Sequence, residues 1–76
     1  MALSDYDIVV YRADYDVNSN LIYEGWAEPG TATSAAKWAI IRHTYASNLR
    51  TVSQWAAGNK TFVNIWDNRA SITSYE

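Results

Sequence analysis

The sequence predicts a mainly β domain, a small antiparallel sheet or sandwich of about five strands with one short helix near residues 61–69. Two observations carry this. Short runs rich in β-branched and aromatic residues alternate in polarity, as half-buried strands do. Between them stand turn signals, Glu28-Pro29-Gly30 and Gly58-Asn59. The competing prediction is an α+β fold with a long helix over residues 34–57, and the middle of the chain is open between the two.

The first strand is expected over Asp5 to Arg12, with Tyr6, Ile8 and Val10 on one face and Val9 and Tyr11 on the other. Asp5 and Asp7 would charge its start and discourage edge pairing. Ala13 to Asn20 reads as a loop. Its D-x-D-x-N-x-N spacing is that of the start of a calcium loop, but Ser19 stands where the turn glycine is needed and Gly25 where the bidentate Glu is needed. Asx-turn chemistry accounts for the same residues without a metal. Leu21 to Ala27 is the second strand, with Ile22, Glu24 and Trp26 opposite Leu21 and Tyr23. Pro29 presets the first angle of the turn that ends it, Gly30 accepts a positive φ in the second, and Thr31 to Ser34 continue as a connector.

Residues 35–57 fit two patterns. As a helix they would be capped by Thr33 or Ser34 and closed by Gly58, with a stripe of Trp38, Ile41, Tyr45, Leu49, Val52 and Trp55. As a hairpin, Lys37 to Tyr45 and Leu49 to Trp55 would be strands joined at Ala46-Ser47-Asn48. Periodicity leans slightly to the helix. After Gly58-Asn59, the spacing of Phe62, Ile65, Trp66 and Arg69 predicts a short helix or 3₁₀ turn capped by Asn59 or Thr61. Asn59-Lys60-Thr61 has the form of a glycosylation acceptor but reads as a loop tripeptide. Ser71 to Tyr75 alternates as a terminal strand, with Ser71, Thr73 and Tyr75 opposite Ile72 and Ser74.

Composition bounds the rest. A 76-residue chain makes a single small domain, and one of this size buries only about 60% of its unfolded surface. It has no cysteine and one histidine, His43, so disulfides and thiolate metal sites are excluded and a histidine-rich zinc site is implausible. That leaves a dense aromatic core or self-association, and four Trp and six Tyr suit either. The start MALSDYDIVV has no basic n-region, and no apolar run approaches the roughly 20 residues that cross a bilayer, so neither signal peptide nor membrane span is expected.

Charge is uneven: residues 1–30 hold six acids against Arg12, whereas residues 31–76 hold five bases against Asp67 and Glu76. This describes either two solvated faces or complementary surfaces between copies. Scattered bases on an acidic chain disfavour nucleic acid.

No nucleophile elbow, phosphate-binding glycine loop, HExxH or CxxC occurs. His43 beside Tyr45 or Ser47 is the one imaginable base and nucleophile, and a lone strand histidine is usually packed or solvated. The polar cluster that stands out is Asp67-Asn68-Arg69, a candidate protein interface because Arg beside aromatics is frequent at interface hot spots. Its alternative role is local, with Asp67 and Arg69 pairing across their turn. No cofactor, metal or catalytic residue is implied. The tryptophans could form a sugar-stacking platform, but a domain this small needs its large rings for a core.

Three segments together carry a resemblance: PGTATSAAKW over 29–38, QWAAGN over 54–59 and FVNIWDNRASI over 62–72. They are similar to a group of small bacteriophage proteins with a PGT-x-TS-x-AKW segment, a W-A-x-G-N turn and an F-x-x-[IV]-W-D-x-R-A-S ending. The likeness spans roughly residues 21 to 75. It implies a hairpin rather than a helix in the middle, although Ala46-Ser47-Asn48 is shorter than the family's turn and lacks its glycine. It also implies that Trp38, Trp55, Phe62 and Trp66 define the core, with Asp67 and Arg69 among the matching positions. The function implied is that of a non-enzymatic virion component. Such a protein would be made in the host bacterial cytoplasm and act at a tail or fibre attachment, head-to-tail junction or capsid surface. Its partners would be other phage structural proteins and copies of itself, with neither nucleic acid nor membrane. The alternatives are a carbohydrate- or receptor-binding module using exposed aromatics, and a small host-interaction protein.

Overall fold

A computed structural model describes residues 9–58 and 61–76. The chain is mainly β: an antiparallel sheet in the order β1-β2-β3-β4, with a fifth strand, β5, also paired to β3. The strands are β1 Val10–Tyr15, β2 Leu21–Ala27, β3 Ala36–Ala46, β4 Leu49–Trp55 and β5 Asn64–Ile65, and a 3₁₀ turn follows at Trp66–Asn68.

The second strand lies at its expected bounds, but the first runs further than expected. Ala13, Asp14 and Tyr15, read as loop, pair with Glu24, Tyr23 and Leu21. Asp14 is tolerated in a strand because its carboxylate meets Arg69, 55 residues later, a partner invisible to local reading. The expectations for Asp5 to Ile8, and those resting on Asn59 and Lys60, lie outside the described residues. The true loop is short. The Asp16 carboxylate accepts from the Asn18 and Asn20 amides at 2.8 and 3.0 Å and from Asn20 Nδ2 at 3.2 Å. These are the oxygens a calcium reading would have needed, and they close an Asx turn. At Gly30 a φ of 82° completes the Pro29-Gly30 turn, with Thr31 N donating to Glu28 O at 3.2 Å.

Residues 36–55 are a hairpin, and the helix over 34–57 does not form. Ser47 and Asn48 both take left-handed angles, φ 51° and 65°, and join Ala46 to Leu49. Positive φ at both central residues gives a two-residue turn whose twist matches the strands, and Asn tolerates it without glycine. The helical stripe divides between the two faces of the sheet: Trp38 and Val52 lie on one, Ile41 and Trp55 on the other. On the outer strand, Thr51 is bulged, and its hydroxyl donates to Thr44 O at 3.1 Å. A bulge of this kind twists an edge and limits unwanted pairing.

The sheet has two unlike faces. On the first lie Gly25, Ala27, Trp38, Ile40 and Ala56, covered by Trp66, Ile72 and Tyr75. Trp38 is fully enclosed, with its indole N–H donating to Ala32 O at 3.0 Å, as a buried tryptophan requires. Trp38 and Trp66 pack at a centroid distance of 5.9 Å.

Residues 61–76 depart from expectation in three ways. Of the short helix or 3₁₀ turn that the spacing allowed, the 3₁₀ turn forms, but it spans only Trp66–Asn68, with Ile65 in the cap position and no side-chain cap from Thr61. The preceding residues extend instead because Asn64 and Ile65 pair with Trp38 and Ala36, and Asn64 Nδ2 also donates to Trp38 O at 3.2 Å. Phe62, expected in the core, is 47% exposed, since this pairing carries it to the sheet edge. Ser71 to Tyr75 is no alternating strand. Ser71 and Ile72 turn back onto Asn68 O, so Ile72 and Tyr75 face inward together, and Tyr75 makes a single bridge with Ala56.

Candidate functional site

Within the predicted interface Asp67-Asn68-Arg69 the structure separates the residues. The 3₁₀ turn is tied to the connector by Asp67 N donating to Thr33 O at 3.0 Å. Asp67 and Asn68 remain exposed. Arg69 turns inward. Its Nε donates to Asp14 Oδ2 at 3.1 Å and its Nη1 to Trp66 O at 3.1 Å, and its guanidinium lies 4.6 Å from the Trp66 ring. Its own carbonyl accepts from Tyr75 OH at 2.8 Å. Arg69 is therefore a bracket between β1, the 3₁₀ turn and Tyr75, and neither a free recognition residue nor a partner of Asp67. Arg69→Ala will lower stability by about 1–2 kcal/mol, the sum expected for a part-exposed ion pair and a cation–π contact. Urea unfolding measures this, and an unchanged midpoint would count against the bracket.

The second face carries a polar chain that sequence reasoning missed. Tyr11 OH donates to Glu24 Oε2 at 2.5 Å, Glu24 Oε1 lies 2.5 Å from His43 Nε2, and His43 Nδ1 lies 2.7 Å from Ser53 Oγ. One residue comes from each of β1, β2, β3 and β4. An ionised carboxylate only accepts, so in the neutral imidazole Nε2 carries the hydrogen and Nδ1 accepts from Ser53. His43 and Ser53 stand directly opposite. Trp55, two residues on, exchanges both main-chain bonds with Glu76 rather than β3. The alternation makes His43–Ser53 the closer, non-hydrogen-bonded kind of pair. His43 was matched to Tyr45 or Ser47 by sequence nearness, whereas its partners sit 10 and 19 residues away. The available signal was Glu24 sharing a strand face with Trp26.

Burial pushes the Glu24 carboxyl up, but hydrogen bonds from Tyr11 and His43 outweigh it and hold the pKa below the ordinary 4.5. Folded Glu24 thus binds its proton less readily than unfolded Glu24. Its contribution to stability is complete above about pH 4.5 and is lost as pH falls through the folded value. Asp16, lowered by its bonds from Asn20 and Asn18, titrates in the same direction. The acid limb of the stability curve should consequently be shallower in Glu24→Gln than in wild type, without vanishing. Urea midpoints between pH 3 and pH 6, in about half-unit steps, measure the difference. Parallel acid limbs would remove Glu24 from the account.

Beside this chain, Tyr11, Trp26 and Trp55 form a row with centroids 5.5 and 5.7 Å apart. Their planes are tilted by 51° and 44°, so the row is no coplanar platform. Trp55 therefore belongs to the second face and is only part-buried, outside the core expected for it.

Of the acids in the first half of the chain, Asp14 is paired with Arg69, Asp16 closes its loop, and Glu24 joins the polar chain. Three of the six acids of residues 1–30 are thus engaged by partners within the chain, and Glu28 is exposed. Among the described residues no group of three or more His, Cys, Asp or Glu could hold a metal ion, and no helix is long and apolar enough to cross a membrane. Comparison with family models, curated proteins and solved structures finds no match to this chain.

Proposed function

We propose that this protein is a non-enzymatic structural component of a bacteriophage particle that works through protein–protein contacts. Those contacts would lie at a tail or fibre attachment, the head-to-tail junction or the capsid surface. The phage setting rests on the sequence resemblance alone. The observation that supports a contact role is the end of the sheet where both hairpins turn. Val17, in the first turn, is 99% exposed and Leu49, at the start of β4, 71% exposed, beside turns tied by the Asp16 carboxylate and the Asn20–Asn48 side-chain bond. Ordered loops that hold large apolar side chains in water suit a surface completed by a neighbour.

Ser53, His43 and Glu24 have the outline of a nucleophile, base and orienting acid. His43 is only 4% exposed, which closes the base to a substrate, so we read the chain as a tie across four strands. The tilted aromatic row likewise gives the carbohydrate-binding alternative no flat stacking surface. Mass spectrometry of purified particles, compared with lysate of infected cells, tests the proposal. Enrichment at fixed stoichiometry is expected, and a protein found only in the lysate would turn the reading to a host-interaction role.

A further inference from the structure

We propose that Ser53 is an acyl-acceptor site: its hydroxyl, relieved of its proton by His43, takes one acyl group from an activated ester and keeps it. This goes beyond the structural role above and does not depend on it.

The residues are those of the polar chain, and their exposures differ. Ser53 is exposed on β4, whereas His43 behind it is only 4% exposed. Ser53 Oγ lies 2.7 Å from His43 Nδ1, and His43 Nε2 lies 2.5 Å from Glu24 Oε1. The tautomer set by the Glu24 carboxylate therefore turns the lone pair of Nδ1 toward the serine hydroxyl. A nucleophile in hydrogen-bond reach of a base that a third group orients is the arrangement that activates a hydroxyl. Here the two ring nitrogens have exchanged the places they hold in the Ser-His-Asp triad, and either can accept a proton. An imidazolium at this position would face a carboxylate that Tyr11 OH holds by its other oxygen, so the proton is received into a charge-assisted bond. Because His43–Ser53 is a non-hydrogen-bonded pair, the Ser53 N–H points away from β3, and no strand lies beyond β4 in the sheet. The nucleophile's own amide is one donor of an oxyanion hole in the Ser-His-Asp enzymes.

The burial of His43 separates accepting a group from turning it over. For acylation His43 has only to touch Ser53. A bond forms from Ser53 Oγ to the acyl carbon, and the bond from that carbon to the leaving oxygen breaks. The hydroxyl proton goes to His43 Nδ1, and an activated leaving group departs as an anion that needs no proton. Hydrolysis of the new ester would need a water at Nδ1, and His43 is too enclosed to admit one. The product is one lasting ester per chain, which is acceptance without turnover.

Treatment of the full chain with p-nitrophenyl acetate, and separately with a fluorophosphonate probe, tests this by intact mass and peptide mapping. The exposed Ser19, Ser47 and Ser74 serve as controls within the same molecule. A positioned general base contributes about 10²–10⁴-fold, so Ser53 should be modified at least about tenfold faster than any of the three. That preference should vanish in urea, and the Ser53 label should persist after excess reagent is removed. His43→Gln keeps a neutral donor and acceptor between Glu24 and Ser53 but no nitrogen that takes a proton, so Ser53 should fall to the rate of the other serines. Should that variant fail to fold, the comparison of serines in wild type decides alone. Label spread evenly over the serines overturns the proposal. So does equal labelling of Ser53 in wild type and folded His43→Gln, or an ester at Ser53 that hydrolyses as fast as it forms. Each of these is read on purified protein and leaves enrichment in particles untouched, so failure here is distinct from failure of the proposed function.

Discussion

Trp66→Ala will destabilise the fold by about 3–5 kcal/mol, the usual range for removing a buried aromatic. Trp66 is 5% exposed and is the largest side chain that residues 61–76 lay on the sheet. It packs on Trp38, supports the Arg69 guanidinium, and gives Arg69 two acceptor contacts through its carbonyl. A domain of this length has a total stability of roughly 4–11 kcal/mol, so the loss takes much or all of it. The expected result is a protein unfolded, or half unfolded, in buffer at 25 °C. It would show red-shifted tryptophan emission and no cooperative urea transition. A cooperative transition with a midpoint within about 0.3 M of wild type would show that the sheet stands without its cover.

How much of this was legible in the sequence depends on the distance between partners. The second strand could be read entire because its alternation is local. The Pro29-Gly30 turn could be read because the angles belong to those two residues. Trp38 and Trp66 were placed in the core correctly, since two such rings in a small domain have few other places to go. Hairpin and helix could not be separated by periodicity over residues 35–57. Spacings of three and four residues occur by chance in two strands joined by a short turn. The deciding feature was a left-handed pair, Ser47-Asn48, without the glycine that usually marks it. Asp14, Arg69, Glu24, His43 and Ser53 were misread or missed because each is satisfied by a residue 10 to 55 positions away. Polar residues whose partners are remote look like loop or site candidates until the sheet brings them together. Phe62 failed for the reverse reason: it had helical spacing to Trp66, but pairing of β5 with β3 decided where it points.

Gly25→Ala is the second large effect, and its sign runs against the usual rule. Glycine inside a strand is normally a weakness, and alanine in its place gains up to about 1 kcal/mol by restricting the unfolded chain. Here a Cβ would sit 2.5 Å from Trp66 Cε3, 2.7 Å from Trp66 Cζ3 and 3.2 Å from Trp38 Cε3. The indole cannot step aside freely, because Trp38 lies against it and Arg69 is held over its ring. Overpacking of this kind costs about 1–3 kcal/mol, which exceeds the entropic gain, so Gly25→Ala should be destabilising by about 1–2 kcal/mol. Trp66→Leu removes the six-membered ring that carries both clashing atoms. In that background the same glycine substitution should cost little or become stabilising, giving a coupling of about 1 kcal/mol or more in a double-mutant cycle. Urea denaturation of the four proteins measures it, provided Trp66→Leu retains a folded baseline, for which a stabilising osmolyte can be added equally to all four. An equal cost in both backgrounds would mean that Gly25 is required by the strand itself and not by the tryptophan lying on it.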